Sequence, residues 1–204
     1  AAIPPYTELI GAGESPLFGY SKTKISDYAG VDWTRTIVWL KHAQAFVILD
    51  RLAALSDSEY QFRTLWHGVG AAELNADGLL LTQNGPTLWI QIAAGPVLDL
   101  RDDHELGKNW QGYPHAERVV RSLQAVATVQ LKESESYLYA SVLHGQADGQ
   151  AAPWLVEFME GADAVKLTTP HGDYGVLLGP YTGPTPHGRF ETDAEVVVIS
   201  EAGL

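Results

Sequence analysis

The chain has 204 residues, and 46% of them are hydrophobic, which is enough apolar material for a substantial core. Its 25 acidic and 13 basic side chains give a formal charge of −12. This charge argues against nucleic acid as a partner, although a local cluster of Arg and Lys could still bind an anionic polysaccharide. The absence of cysteine excludes disulfides and thiolate metal sites.

The first 21 residues are rich in Gly and Pro and show no sustained periodicity, so we predict a lead-in with at most one short edge strand. This opening lacks the basic start and the apolar middle of a signal peptide. No later apolar run is long enough to cross a bilayer, so we predict a soluble chain with no membrane partner. A first residue that is Ala rather than Met suggests a processed product, a domain or a fragment of a longer protein.

Three strand-length runs of apolar, aromatic and β-branched residues follow, at 33–40, 46–52 and 60–66. Only residues 41–44 separate the first two runs. This connection is too short for the crossover that parallel strands need, so the two runs must form a hairpin. Together with the third run, residues 28–67 therefore predict three adjacent antiparallel strands.

The third run has an aromatic face and a polar face, because side chains alternate across a strand. The aromatic face holds Tyr60, Phe62 and Trp66, and the polar face holds Gln61, Arg63 and His67. One face of the sheet is thus expected to be core and the other to meet water. Four aromatic residues are predicted to contribute to the core between two sheets: Trp33, Trp39, Phe62 and Trp66.

The remaining strand signals are separated by turn residues such as Asn84, Gly85 and Pro86. We predict further strands at residues 22–27, 79–83, 87–93, 118–131, 137–143, 154–159, 164–168, 174–178 and 195–200. No stretch keeps an apolar stripe at helical spacing for three turns. Residues 1–204 are therefore predicted to form a single all-β domain. Its expected architecture is an antiparallel two-sheet β-sandwich of about a dozen strands with little or no helix.

Arg35 lies in the middle of the first central run, between Trp33 and Trp39. A guanidinium in that place needs a partner, because an unpaired buried charge is strongly destabilising. Asp50 and Asp32 are the candidate carboxylates. Pairing with one of them, or stacking on Trp, is the structural interpretation, and recognition of a substrate carboxylate is the alternative.

The longest polar stretch, residues 95–116, shows no alternation, and loops of this length in a compact domain are usually functional or mobile. It holds Trp110, Tyr113 and His115, which combine aromatic faces for a sugar ring with a group for hydroxyls. With Arg63 and His67 from the polar strand face, they form the predicted substrate-binding set. The alternative is a lid that folds back over its own core.

The histidines are scattered, and none shows the spacing of a zinc-binding helix. We therefore predict no metal ligands and no cofactor. There is also no nucleophile-elbow motif and no phosphate-binding loop. The residues alone identify no catalytic group.

Residues 28–52 and 64–67 resemble the C-terminal β-sandwich domain of the heparinase II/III-like family of polysaccharide lyases. The residues that carry the resemblance are Trp33, Arg35, Trp39, Asp50, Arg51, Trp66 and His67. The remainder of the chain agrees with this family only in being rich in strands.

The resemblance implies a β-sandwich, a polysaccharide or oligosaccharide partner that contains uronic acid, and a periplasmic or secreted location. It also implies an upstream α/α toroid domain, which in this family supplies most catalytic side chains. This chain contains no toroid, and residues 1–28 hold none of the histidines that open the family's sandwich. We therefore carry over the fold and the substrate class but no catalytic residue.

Two functions remain open. In the first, the chain is a non-catalytic module, a fragment or homologue of a lyase C-terminal domain, that helps to bind acidic polysaccharide. In the second, it is a polysaccharide lyase that cleaves uronic-acid glycans by elimination, alone or with a missing toroid. A helix-rich sequence upstream of Ala1 in the gene would identify the chain as a lyase fragment.

Overall fold

The computed structural model describes residues 7–76, 78–93, 95–104, 119–146, 152–185 and 188–200. Across this part of the chain the structure is nearly all β, as the sequence predicts. The strands, in chain order, are β1 (Glu8–Glu14), β2 (Phe18–Tyr28), β3 (Val31–Leu40), β4 (Ala45–Ala54), β5 (Ser58–Gly68), β6 (Ala71–Asn75), β7 (Gly78–Thr82), β8 (Thr87–Ile92), β9 (Val97–Asp103), β10 (Val120–Leu131), β11 (Ser136–Gln146), β12 (Leu155–Phe158), β13 (Ala164–Thr169), β14 (Gly172–Leu178), β15 (Tyr181–Thr185), β16 (Gly188–Thr192) and β17 (Val196–Ser200).

The strands form antiparallel sheets, the largest of which has eight strands in the order β1-β2-β3-β4-β11-β8-β7-β6. A three-stranded sheet has the order β5-β10-β9, and a four-stranded sheet has the order β12-β13-β14-β17. β15 and β16 pair with each other. Within the described ranges, no helix is long and apolar enough to cross a membrane.

The eight-stranded sheet is central, because its two faces bury different core clusters. On one face, Val38, Val47 and Val142 pack against residues of the four-stranded sheet such as Leu167 and Val176. On the other face, side chains of the central sheet pack against the three-stranded sheet, in two clusters around Tyr60 and Leu123. The predicted antiparallel sandwich is thus confirmed, and the four-stranded sheet adds a further layer to it.

The β3–β4 hairpin forms as predicted, and its register runs from Val31 opposite Ala54 to Leu40 opposite Ala45. The third of the three strands that were predicted to be adjacent lies in a different sheet. β5 pairs with β10, not with β4, and therefore belongs to the sheet that covers the central one. The free edge of β4 is occupied by β11, whose Tyr139 lies opposite Asp50. The prediction of three adjacent strands is wrong because this long-range pairing displaces the local one.

The predicted faces of β5 are confirmed. Phe62 and Trp66 are partly buried and pack against the central sheet, whereas Arg63 and His67 are exposed. Trp33 is also partly buried in this layer. Trp39 corrects the predicted core, because 43% of its surface is exposed. It stacks on Phe46, which is also exposed.

Several strands lie where the sequence predicts none. β9 lies inside the stretch predicted as a polar loop, and it pairs with β10 through the register from Val97 opposite Val126 to Asp103 opposite Val120. β6 and the β15–β16 hairpin are also strands without a predicted counterpart, whereas β1 is the short edge strand that the prediction for the lead-in allows. These segments are short or carry Gly and charged residues, so their alternation is weak in the sequence.

A buried hydrogen-bond network connects the central sheet with the segment that leads into β12. The Gln91 side-chain amide donates to the Trp154 carbonyl at 2.7 Å, and its oxygen accepts from the Trp154 amide at 2.8 Å. His144 lies 2.8 Å from the same Gln91 oxygen and stacks on the Trp154 ring at 3.9 Å. Because that oxygen is an acceptor, His144 Nε2 carries the proton.

We expect the stability of the folded protein to fall between pH 6.5 and pH 4.5 because of His144. Burial lowers the pKa of His144 to about 4, so the unfolded chain takes up a proton in this range and the folded chain does not. The loss should reach about 2–3 kcal/mol at pH 4.5, and stability should change no further through this group once the pH lies well below the folded pKa.

Urea denaturation across this pH range measures the loss. His144→Phe should flatten the pH dependence, whereas His67→Ala, at an exposed position, should leave it unchanged. An equally steep loss in His144→Phe would show that other groups cause it.

Candidate functional site

Two of the predicted substrate-binding residues, Arg63 and His67, lie on the outward face of β5. Their side chains point the same way because they are four residues apart in a strand, which separates them by about 13 Å. Both are exposed. The β5 strand lies at the edge of its sheet, so this surface is open on one side.

The neighbouring strands complete this outward face. Ser122 of β10 lies between His67 and Arg101, and Val126 lies between Arg63 and Val97. Arg101 donates to the Asp99 carboxylate at 2.6 Å. Within the described ranges, no carboxylate pairs with Arg63. Arg63 is therefore a cation available to an external anion.

The other three predicted residues, Trp110, Tyr113 and His115, lie outside the described residues. Their segment follows β9 and precedes β10, which are strands of the same sheet as Arg63 and His67. Asp103 and Val120, which lie opposite each other, bound it. Val120 is two positions along β10 from Ser122, the neighbour of His67. The ends of the segment are thus at the end of the sheet where His67 lies.

A cleft of about 410 Å³ opens between β5 and the central sheet, and its lining includes residues 59–64 of β5. We call it the aromatic cleft, because its lining includes Tyr28, Trp33, Tyr60, Phe62 and Tyr139. The Phe62 ring stacks on Tyr60 at 5.8 Å and on Tyr137 at 5.7 Å, which holds this wall in place. Its size and aromatic lining are those of a small-ligand site.

The floor of the aromatic cleft contains an ion pair. Asp50, which is 3% exposed, accepts hydrogen bonds from Arg35 Nε at 2.7 Å and from Arg35 Nη2 at 2.9 Å. The Trp33 indole donates to the same carboxylate at 2.8 Å. Asp50 holds the pKa of Arg35 above its ordinary value, so the guanidinium stays charged. The predicted structural pairing of Arg35 is thus found, with Asp50, while Asp32 pairs with Lys24.

Tyr139 is a further buried residue of the cleft with a polar group. Its hydroxyl has no hydrogen-bond partner of good geometry among the described residues, and only 1% of the residue is exposed. Burial is the main cause that raises the pKa of Tyr139, and Thr64 opposes the shift to a smaller extent. A phenol that holds its proton this tightly is a poor general base. Tyr139 is therefore poorly suited to remove a proton from a ligand in the cleft.

Sequence reasoning found Arg63 but missed most of the cleft. The sequence pattern predicts Trp33 and Phe62 as core residues, and it gives no functional signal for Tyr28 or Tyr139. The one sequence signal for this cleft is the charged side chain of Arg35 in the middle of a strand. In the described part of the chain, no group of three or more His, Asp or Glu side chains could hold a metal ion.

No protein-family model matches the chain, and no curated protein sequence matches it. Among solved structures, the chain resembles heparan sulfate lyase HepC from Pedobacter heparinus, with a TM-score of 0.58 and 14% identity. That match covers 79% of this chain and 26% of HepC. A heparinase III structure matches with a TM-score of 0.61 and 9% identity, over 83% of this chain and 26% of that one.

Another heparinase III, with methylated lysines, matches over 95% of this chain and 27% of its own, with a TM-score of 0.59 and 10% identity. At these identities, the similarity concerns the fold. The chain spans about a quarter of the length of the lyases that it matches.

Proposed function

We propose that this chain is a single β-sandwich domain, equivalent to the C-terminal domain of a heparinase II/III-like polysaccharide lyase, and that it binds acidic polysaccharide without cleaving it. The observation that carries the proposal is Arg63, a cation with no partner in the described part of the chain, on the outward face of the strand whose other face lines the aromatic cleft. The fold shared with heparinase III structures supports the substrate class.

The proposed contacts follow from the chemistry of an acidic sugar. Arg63 and His67 bind carboxylate or sulfate groups, and the aromatic rings cover the apolar faces of the sugar rings. Trp110, Tyr113 and His115 extend this surface from the adjoining segment. In a protein of formal charge −12, a polyanion has to be held by such local contacts, because the overall charge repels it.

Catalysis is assigned to a separate α/α toroid domain. Elimination requires a base for the sugar proton and an acid for the leaving oxygen. Tyr139, the buried phenol of the cleft, has a raised pKa and almost no accessible surface. A complete lyase of this kind would work on polysaccharide outside the cytoplasm, so we propose a periplasmic or secreted location.

Replacing Arg63 with alanine should weaken binding of a heparan sulfate hexasaccharide by roughly fivefold to tenfold, the effect of one charge-assisted hydrogen bond. The residual binding should also depend less on salt, because exposed charge contacts are screened over about 8 Å at physiological ionic strength. Titration calorimetry at two salt concentrations measures both effects.

Arg51→Ala is the matched control. Arg51 pairs with Asp163 and is also exposed, but it points to the opposite face of the central sheet. Equal weakening by the two substitutions would indicate a general charge effect and remove Arg63 from the site.

A further inference from the structure

Two pairs of an aromatic ring and a cation lie along β3. The Arg35 guanidinium lies over the Trp33 ring at 5.1 Å, and the Lys41 ammonium, at the end of the strand, lies over the Trp39 ring at 5.4 Å. Trp33 and Trp39 are six residues apart, an even number, so both rings project from the same face. The strand geometry separates them by about 20 Å.

The first pair lines a hollow of about 240 Å³, which has polar and apolar walls. We call it the β3 hollow, and its lining consists of Thr7, Thr23, Ile25, Trp33 and Arg35. Trp33 also lines the aromatic cleft, so the two spaces adjoin at this ring. The β3 hollow thus places a cation and two hydroxyl groups beside an indole.

Arg35 offers a hydrogen-bond donor to a ligand in this hollow. Its Nε and Nη2 atoms donate to Asp50, while Nη1 has no partner in the described part of the chain. One third of the side chain is exposed. The guanidinium is therefore fixed by Asp50 on one side and can donate to an anion on the other.

The second pair, Trp39 and Lys41, belongs to an exposed aromatic surface, which we call the Trp39–Phe46 platform. The Trp39 ring stacks on Phe46 at 6.3 Å with an interplanar angle of 19°, and both residues are nearly half exposed. Lys41 is held by Glu14 at 2.6 Å and by the Ser15 carbonyl at 2.7 Å. Two neighbouring rings that lie nearly parallel present a flat apolar surface suited to a sugar ring.

We propose that a uronic-acid glycan also binds along β3, from the β3 hollow to the Trp39–Phe46 platform. In the hollow, a uronate carboxylate accepts hydrogen bonds from Arg35 Nη1, its ring stacks on Trp33, and its hydroxyls meet Thr7 and Thr23. A sugar further along the chain stacks on Trp39 and Phe46. This inference rests on the proposed function, and it adds a second surface to that of Arg63 and His67.

The alternation of rings and cations favours a glycan over an apolar protein surface as the occupant. Each ring of the pair has a charged group beside it, and an apolar partner would have to bury these charges without replacing their contacts with water. A sugar offers both an apolar face and hydrogen-bonding groups. It also fits the continuity between the hollow and the aromatic cleft.

Titration of the ¹⁵N-labelled chain with a heparan sulfate hexasaccharide, followed by NMR, tests the inference. The indole N–H signals of Trp33 and Trp39 should shift together with the backbone amides of Arg63 and His67. The Trp154 indole, buried on the opposite face of the central sheet, should stay unchanged.

Trp39 is the specific reporter, because Trp33 also lines the aromatic cleft. Shifts at Arg63 and His67 with none at Trp39 would overturn this inference and leave the proposed function intact. Shifts at Trp39 without shifts at Arg63 and His67 would support it and remove Arg63 and His67 from the site. No shift at millimolar hexasaccharide would reject both the inference and the proposed function.

A substitution distinguishes the platform from the hollow. Trp39→Ala should weaken hexasaccharide binding by roughly fivefold but leave the binding of a disaccharide, which fills only the hollow, unchanged. Phe158→Ala, at a similarly exposed aromatic residue of β12, is the control and should change neither. Equal hexasaccharide affinity in Trp39→Ala and the unsubstituted protein would exclude the platform.

Discussion

Replacing Asp50 with alanine should destabilise the folded protein by about 3 kcal/mol, the lower end of the effect of breaking a buried ion pair. Asp50 accepts three hydrogen bonds, two from Arg35 and one from the Trp33 indole. Without it, the Arg35 charge and the indole N–H lose their partners. The loss stays at the lower end because one third of the Arg35 side chain is exposed and can be hydrated.

Urea denaturation measures this loss, and Asp163→Ala provides the comparison. Asp163 pairs with Arg51 at 3.1 Å in an exposed position, so its removal should change the unfolding free energy by about 0.5 kcal/mol or less. Adding Arg35→Leu to Asp50→Ala should recover part of the loss, because no unpaired charge then remains. Similar losses in Asp50→Ala and Asp163→Ala would show that the pair contributes little.

Replacing Trp66 with alanine should cost about 3 kcal/mol of unfolding free energy, at the lower end of the range for a large aromatic side chain. Trp66 is partly buried and packs on the cluster formed by Leu79, Leu81, Ile90 and Leu123, which joins β5 and β10 to the central sheet. Its removal leaves a cavity between the two sheets.

Trp39→Ala is the matched substitution, and it should cost about 1 kcal/mol or less, because its ring is 43% exposed and contributes mainly its stacking on Phe46. Trp66→Phe should also be mild. It keeps a ring in the cavity and removes a buried indole N–H that has no hydrogen-bond partner in the described part of the chain. An unchanged unfolding midpoint in Trp66→Ala would contradict the role of Trp66 in joining the sheets.

The sequence was sufficient for features that depend on neighbouring residues. Alternation in β5 correctly separated Phe62 and Trp66 from Arg63 and His67, and the short connection after Leu40 correctly predicted the β3–β4 hairpin. These features follow from a period of two and from loop length, which are both local. The position of Arg35 in the middle of a strand also predicted a carboxylate partner. Of the two candidates, Asp50 and Asp32, the structure shows Asp50.

Features that depend on distant pairing were not predictable in this way. β11 is far from β4 in the chain, yet it takes the edge that the sequence suggested for β5. That displacement moves β5 over the central sheet and creates the aromatic cleft between Trp33 and Phe62. A single sequence records which residues are apolar, but not which sheet covers them.

The most direct test of the proposed function is a calorimetric titration of the isolated chain with a heparan sulfate hexasaccharide, with recovery of the sugar afterwards. We predict saturable binding that weakens as salt rises, and a hexasaccharide recovered intact. Absence of binding at millimolar concentration would contradict the binding role. An unsaturated product, detected by its ultraviolet absorbance, would contradict the non-catalytic role and show that the chain is a lyase by itself.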